Sequence, residues 1–377
     1  MKFVGYLPLL AVGAALVAVP APHATQAADP CRDRAPTVLD QRSDWKCVGL
    51  ATFAPDSAEP IERSLSADEI RRLGEPRPAS YELGVAVSPD GRLYRQTRLS
   101  PTGPSEVRAY NPSPPDVEPE GEARTQTTTR SNLVFGADNR VLRLATKSYP
   151  WRAMTSVMKP GGATFSNCSG SLIGPRHVLT AGHCMHQGGT GKNAGWLKNR
   201  KMAPGQKGIG VFPNGVKNHT WYFTVTGWFD DADPAYDYGM FVLEDRDDTA
   251  HLGWLGWRST NQAGGHWTFG YPGFSFNCAA SPSADGKCNN FLYGDDSTAV
   301  FPNVGNMFAT EADSQEGQSG SPIYKYNNGD RRVIAVLAYE SADDELNWGT
   351  RVTPTRSSNF CDWIHTFPSA FNDHPCE

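Results

Sequence analysis

A serine hydroxyl becomes a working nucleophile only when a neighbouring base can take its proton and a third group orients that base. The stretch SQEGQSGSP, residues 314–322, supplies such a serine. Ser319 follows Gly317 and Gln318 and is followed directly by Gly320. Glycines at these places let the backbone turn sharply and let a ligand approach closely. A plain surface turn between two strands would use the same residues, so the base and its partner must be sought elsewhere in the chain.

The chain has nine histidines. His183 stands out, because it sits in LTAGHC directly after the β-rich HVLTA and beside Cys184. A satisfied structural histidine is the alternative at this position. For the third group, Asp237 in DPAYDYGMFVLE lies where a polar turn enters an apolar strand, a place that can bury a carboxylate. Asp230, Asp231 and Asp233 are rivals, but their loop is polar throughout and reads as solvated. An α/β-hydrolase elbow would require G-x-S-x-G on a strand-to-helix turn. Here Ser321 replaces the last glycine and the chain runs on into a strand.

The elements that must carry these residues read as β. SGSLIGPRHVLTAGHC, YDYGMFVLE, HWTFGYPG, SPIYKY and RRVIAVLAYE are short apolar runs, and NNGD (327–330) marks a hairpin between the last two. Phe360, Trp363, Ile364 and Phe367 recur at helical spacing and predict one closing helix. Many short strands with 37 Gly and 29 Pro suggest an all-β barrel or sandwich architecture.

The 377 residues allow a large core plus accessory segments. A net charge of −5 with no Lys/Arg block excludes nucleic acid and anionic membranes as expected partners. Residues 1–27 read as a secretory signal ending in small residues, and no later run is long and apolar enough to span a bilayer. The eight cysteines form four local couples: Cys31 with Cys47, Cys168 with Cys184, Cys278 with Cys288, and Cys361 with Cys376. In an exported chain that pattern predicts disulfides. HCMH (183–186) lacks a second ligand pair at zinc-finger spacing, so no metal is expected. Residues 28–130 differ in character. Ser66 and Glu69 in SLSADEIRRL resemble a capping box. Residues 101–130, dense in Pro, Glu and Thr, read as an extended, cleavable linker. This organisation predicts a propeptide with linker over 28–130 and a catalytic domain over 131–377, with a retained accessory domain as the alternative for 28–130.

From His183 through Asp237 to Ser319, the motifs resemble the chymotrypsin-fold, or trypsin-like, serine endopeptidases, in particular the bacterial glutamyl-endopeptidase branch. The resemblance covers about residues 131–367. VFGADNR (134–140) resembles a mature start in that branch and YPWRAM (149–154) the first core strand. The cysteine-bracketed CSGSLIGPRHVLTAGHC resembles the strand pair delivering the base, GYPG (270–273) a second-barrel turn, and GQSGSP (317–322) the nucleophile loop.

The resemblance implies an all-β fold of two antiparallel six-stranded β-barrels with a C-terminal helix. It implies a secreted, monomeric zymogen that hydrolyses protein or peptide substrates through an acyl-enzyme, with no cofactor. Ser319 would attack, His183 would shuttle the proton, Asp237 would hold the imidazole, and the N–H groups of Gly317 and Ser319 would bind the oxyanion. The substrate pocket would involve Asp313, Leu337 and Tyr339. Departures matter too. Gln318 stands where trypsin-like zymogens carry an Asp that pairs with a new N-terminus, and Leu337 where the glutamyl branch carries a histidine. Asp313 is read first as an ordinary loop residue, a buried unpaired carboxylate being costly, and second as a partner for a substrate Arg or Lys, so the preference before the scissile bond stays open between Arg or Lys, Glu and other residues. A catalytically silent homologue that only binds, and an esterase on the same scaffold, are the competing functions.

Overall fold

The computed structural model describes residues 29–60, 64–112, 138–159, 166–191, 194–244, 247–260, 262–273, 290–297, 303–327, 329–341, 345–367 and 376. The predicted signal and the linker beyond residue 112 lie outside them. Three of the expected couples are disulfides: Cys31 with Cys47, Cys168 with Cys184, and Cys361 with Cys376. The fourth expected bridge would join Cys278 and Cys288. Both Cys278 and Cys288 lie outside the described residues, so no described disulfide contains either.

The structure is mostly β, with strands β1 (Trp45–Leu50), β2 (Gly84–Val87), β3 (Arg92–Gln96), β4 (Glu106–Val107), β5 (Val141–Arg143) and β6 (Met154–Met158). They continue as β7 (Ser166–Gly174), β8 (His177–Thr180), β9 (Lys201–Pro204), β10 (His219–Val225), β11 (Gly239–Leu243) and β12 (Gly256–Arg258). Last come β13 (His266–Gly270), β14 (Leu292–Ser297), β15 (Met307–Thr310), β16 (Pro322–Asn327), β17 (Asp330–Ser341) and β18 (Leu346–Arg351). The α-helices are α1 (Ala67–Leu73), α2 (Thr226–Phe229), α3 (Asp247–Ala250) and α4 (Pro354–His365).

Two nine-stranded sheets result. The first runs β1-β3-β2-β10-β11-β8-β7-β6-β9. The second runs β15-β18-β17-β16-β13-β14-β5, with β12 on β17 and β4 on β12. Two closed six-stranded barrels were the expectation, and the described strand paths do not close. The difference has a source in the N-terminal segment. β1, β3 and β2 form an antiparallel meander, and β2 pairs with β10 from Tyr222↔Val87 to Val225↔Gly84. β4 pairs with β12, and Tyr110 exchanges backbone bonds with Trp254. Residues 105–110, predicted to be linker, are therefore held in a sheet, with Val107 buried.

Two predicted local features appear as expected. Ser66 and Glu69 form a reciprocal capping box on α1. Phe360, Trp363 and Ile364 of α4 are buried, and Trp363 stacks against Phe223 and Tyr238. Burial of each such side chain contributes about 1.5–3 kcal/mol. Arg356 on the same helix donates to Glu82 of the N-terminal segment at 3.1 Å. The helix thus clamps both parts of the chain.

Candidate active site

Strand register explains how His183 and Asp237 meet. β8 and β11 are antiparallel, with Gly239 opposite Thr180. Counting two residues beyond the ladder on each chain sets Asp237 opposite Gly182. Only a glycine fits there, because a Cβ on residue 182 would lie 2.9 Å from Asp237 Oδ1 and press on Trp228. The next residue is His183. Its Nδ1 lies 2.6 Å from Asp237 Oδ2, and its backbone N–H donates to Oδ1 at 2.7 Å. Both side chains are fully buried. Thr350 Oγ1 donates to the Asp237 carbonyl at 2.9 Å, which ties this residue to β18 of the other sheet. Trp228 and Tyr339 flank the imidazole, with ring centroids 6.4 and 6.0 Å away.

The half-buried Ser319 stands on the turn before β16. Its carbonyl accepts from the Ser169 N–H at 2.6 Å and lies 3.6 Å from Cys184 Sγ. The turn is thereby clamped to β7 and to the residue beside His183. On the other side, the Gly320 N–H donates to the Leu337 carbonyl at 2.7 Å. Gly320 has φ +88°, and a Cβ there would collide with Ser169 O and Thr180 Oγ1.

The peptide units of the turn are also oriented. The Glu316 carbonyl accepts from Gly273 N–H at 2.9 Å, and the Gln318 carbonyl accepts from Ser321 N–H at 2.9 Å. In a trans peptide the N–H points opposite to the C=O. The N–H groups of Gly317 and Ser319 are therefore turned away from these anchors. Gly317 itself has φ +92° and could not bear a Cβ against Gly273.

Several supporting residues escaped the sequence reading. Ser169 Oγ donates to Gly317 O at 2.9 Å and accepts from Tyr271 N–H at 2.8 Å, bridging β7, the GYPG turn and the Ser319 turn. Arg140 Nη1 donates to Gln318 Oε1 at 3.0 Å, while its Nε and Nη2 bond to Asp138. CSGSL and DNR carry no local signal for these roles.

The three residues expected at the substrate pocket separate. Asp313 is buried, and its Oδ2 accepts from the Asn139 N–H at 2.8 Å, so it anchors the 138–140 stretch. The Leu337 side chain joins an apolar cluster with Phe308, Ile323, Ile334 and Ala335. Tyr339 packs beside His183. A register shift between Leu337 and Tyr339 accounts for their different surroundings despite a spacing of two.

Among the described residues, Cys168, His183 and Cys184 form the one close group of potential metal donors. Both sulfurs are spent in a disulfide, and the histidine Nδ1 faces Asp237. Three residues beyond the site histidine, His186 is buried between Trp196 and Phe229, and this burial pushes it down to about 4.

Comparison with known proteins gives the family context. The Trypsin family model matches residues 143–364. A Bacillus subtilis protein named extracellular metalloprotease is 29% identical over 246 residues, covering 65% of this chain and 73% of its own. A Bacillus licheniformis glutamyl endopeptidase is 27% identical over 243 residues, covering 61% and 68%. A solved Glu endopeptidase structure superposes with TM-score 0.51 at 20% identity, covering 62% of this chain and all of that one.

Proposed function

Because this chain belongs to the trypsin family and is a serine endopeptidase, we propose that it cuts peptide bonds with Ser319, His183 and Asp237. Ser319 Oγ attacks the scissile carbonyl, and His183 Nε2 takes its proton. Collapse of the tetrahedral intermediate breaks the C–N bond as His183 returns the proton to the leaving amine, leaving an ester on Ser319. Water, deprotonated by His183, then hydrolyses that ester. The N–H groups of Gly317 and Ser319 receive the oxyanion.

The observation that carries this reading is the paired bond from His183 to Asp237, one from the ring at 2.6 Å and one from the backbone at 2.7 Å. The ring bond fixes Nδ1 on the carboxylate and the backbone bond fixes the carboxylate, so Nε2 is the nitrogen assigned to the substrate side. The disulfides, together with a relative named extracellular, support action outside the cell after removal of residues 1–27. That relative's name also invokes a metal, but the close donor group among the described residues holds both its sulfurs in a disulfide, and disulfide sulfurs are not thiolate ligands.

A fluorophosphonate probe tests the reading. It should label wild-type protein on Ser319, and Ser319→Ala should abolish both labelling and peptide hydrolysis. Labelling at another serine would overturn the assignment.

A further inference from the structure

The acidic loop before Asp237 is taken up by the N-terminal segment. Arg95 forks onto Asp230 at 2.6 and 2.8 Å, and Arg77 Nε donates to Asp233. α1 lines a cavity that it shares with the loop before Asp237. Glu69, Arg72, Leu73 and Arg77 face Trp228, the residue beside the His183 ring, and the loop 231–234 across a shared cavity. From the other half of the molecule, Gly305 packs so tightly on the Leu73 carbonyl that a Cβ there would clash.

Just before α1, the segment bonds to β17. The Leu65 N–H donates to the Glu340 carbonyl at 2.8 Å, and Ser64 Oγ donates to Glu340 Oε1 at 2.7 Å. This is the strand edge that leads away from the nucleophile, since Leu337, three residues earlier, holds Gly320. Three residues of strand are about 10 Å. An extended peptide bound at Ser319 would use that same edge.

The same segment also bonds to the 196–200 stretch and to the Lys159–Asn167 rim. Thr52 and Ala54 exchange backbone bonds with Trp196, and Arg200 donates to the Ala58 carbonyl at 2.8 Å. The Glu59 carboxylate pairs with Lys159 and accepts from Asn167. Asn167 precedes Cys168, whose disulfide partner Cys184 lies against the Ser319 carbonyl. Residues 59 and 64, five apart and so separated by at most about 18 Å, therefore contact the Lys159–Asn167 rim and the β17 edge respectively. The three residues 61–63 are outside the described set.

Orientation completes the picture. Ser64 pairs with Glu340 in parallel. Antiparallel pairing is the more stable per residue, and β17 pairs that way with β16 and β18, its parallel partner β12 lying at Arg332–Val333, away from Glu340. A peptide adding antiparallel to this edge would run through the cleft in the opposite sense.

We propose that residues 52–60 and 64–77 are a built-in occupant of the substrate cleft, threaded against the direction of a substrate so that it blocks the site without being cut. The interaction surface is the β17 edge at Glu340, the Asp230–Asp233 loop and the Lys159–Asn167 rim, and its partner is this chain's own N-terminal segment. Because β2 completes the first sheet beside β10 and β4 pairs with β12, a cut near Arg130 leaves residues 29–112 seated as a second chain. The proposal rests on the reading of Ser319 as the nucleophile.

The test uses the full chain with a site for an unrelated protease inserted between residues 113 and 137. It is nicked there and compared with nicked Leu65→Pro and Arg77→Ala variants. Leu65→Pro removes the donor to Glu340. Arg77→Ala touches no strand and keeps the comparison readable should the proline variant misfold. Nicked wild type should elute as one species, keep residues 59–65 uncut, and react with fluorophosphonate at Ser319 at least about tenfold more slowly than Arg77→Ala. Equal reaction of all forms, or cleavage within 59–65, would overturn the proposal. Silence of every form towards the probe and a peptide substrate would instead sink the protease reading, and the occupant with it.

Discussion

Arg140 donates through Nη1 to Gln318 Oε1 at 3.0 Å and grips Asp138 with its other nitrogens. A cation from within the chain thus holds the residue before Ser319. Arg140→Met should strand the buried Asp138 and release Gln318, lowering stability by about 3–5 kcal/mol in urea unfolding. Arg140→Lys, a point charge without the fork, should fall between. A melting curve unchanged in Arg140→Met would remove this role.

Ser319→Ala should eliminate measurable turnover while the fold persists, because one small residue replaces another on a turn. His183→Ala should be comparably severe, as nucleophile and base act as a unit. Single-turnover assays with a peptide substrate decide this, and a Ser319→Ala protein with wild-type rates would refute the mechanism.

Asp237→Asn keeps the shape of the side chain but can no longer favour the required imidazole tautomer. Turnover should drop by about 10⁴-fold, the size of the same change in trypsin. Circular dichroism should show the fold intact. A loss of only a few-fold would mean that Asp237 merely supports the loop.

Stability should depend on pH through His186, apart from any effect on catalysis. Burial lowers it to about 4, so the folded protein keeps it neutral while the unfolded chain protonates near 6.5. The stabilisation is present above 6.5 and is lost as pH falls towards 4, by about 3 kcal/mol at that point. His219, also near 4 through burial, adds in the same direction. Thermal melts from pH 7 to 4 should fall more gently in His186→Phe than in wild type. Identical slopes would show that burial of His186 carries no linkage.

Gly320→Ala should damage both folding and activity. Its φ of +88° is strained for alanine, and the new Cβ would strike Ser169 O and Thr180 Oγ1, the groups that clamp the turn. Recovery of full kcat/KM in a soluble Gly320→Ala protein would argue against so rigid a turn.

The residues of the catalytic reading were legible because each lies at a local junction of turn and strand. His183 follows β8, Asp237 precedes β11 and Ser319 precedes β16. Asp230 and Asp233 were misread as solvated because their partners, Arg95 and Arg77, are 135 and 156 residues away in sequence. GVAV at 84–87 has the composition of a strand, but nothing local names β10 as its neighbour. Leu337 and Tyr339 share a parity that predicts one common face, and the register shift between them removes that guarantee. Long-range pairings and bulges are the information that local patterns lack.

No described disulfide joins the two parts of the chain. Cys31–Cys47 lies within the N-terminal segment, and Cys168–Cys184 and Cys361–Cys376 within the remainder. If the segment is the occupant proposed above, the uncut chain holds it at an effective concentration on the order of millimolar. After a cut, its strand pairings with β10 and β12 and its other non-covalent contacts would alone keep it seated. Its release would then follow mass action: the nicked protein would stay closed above the dissociation constant of the two pieces and open when diluted below it.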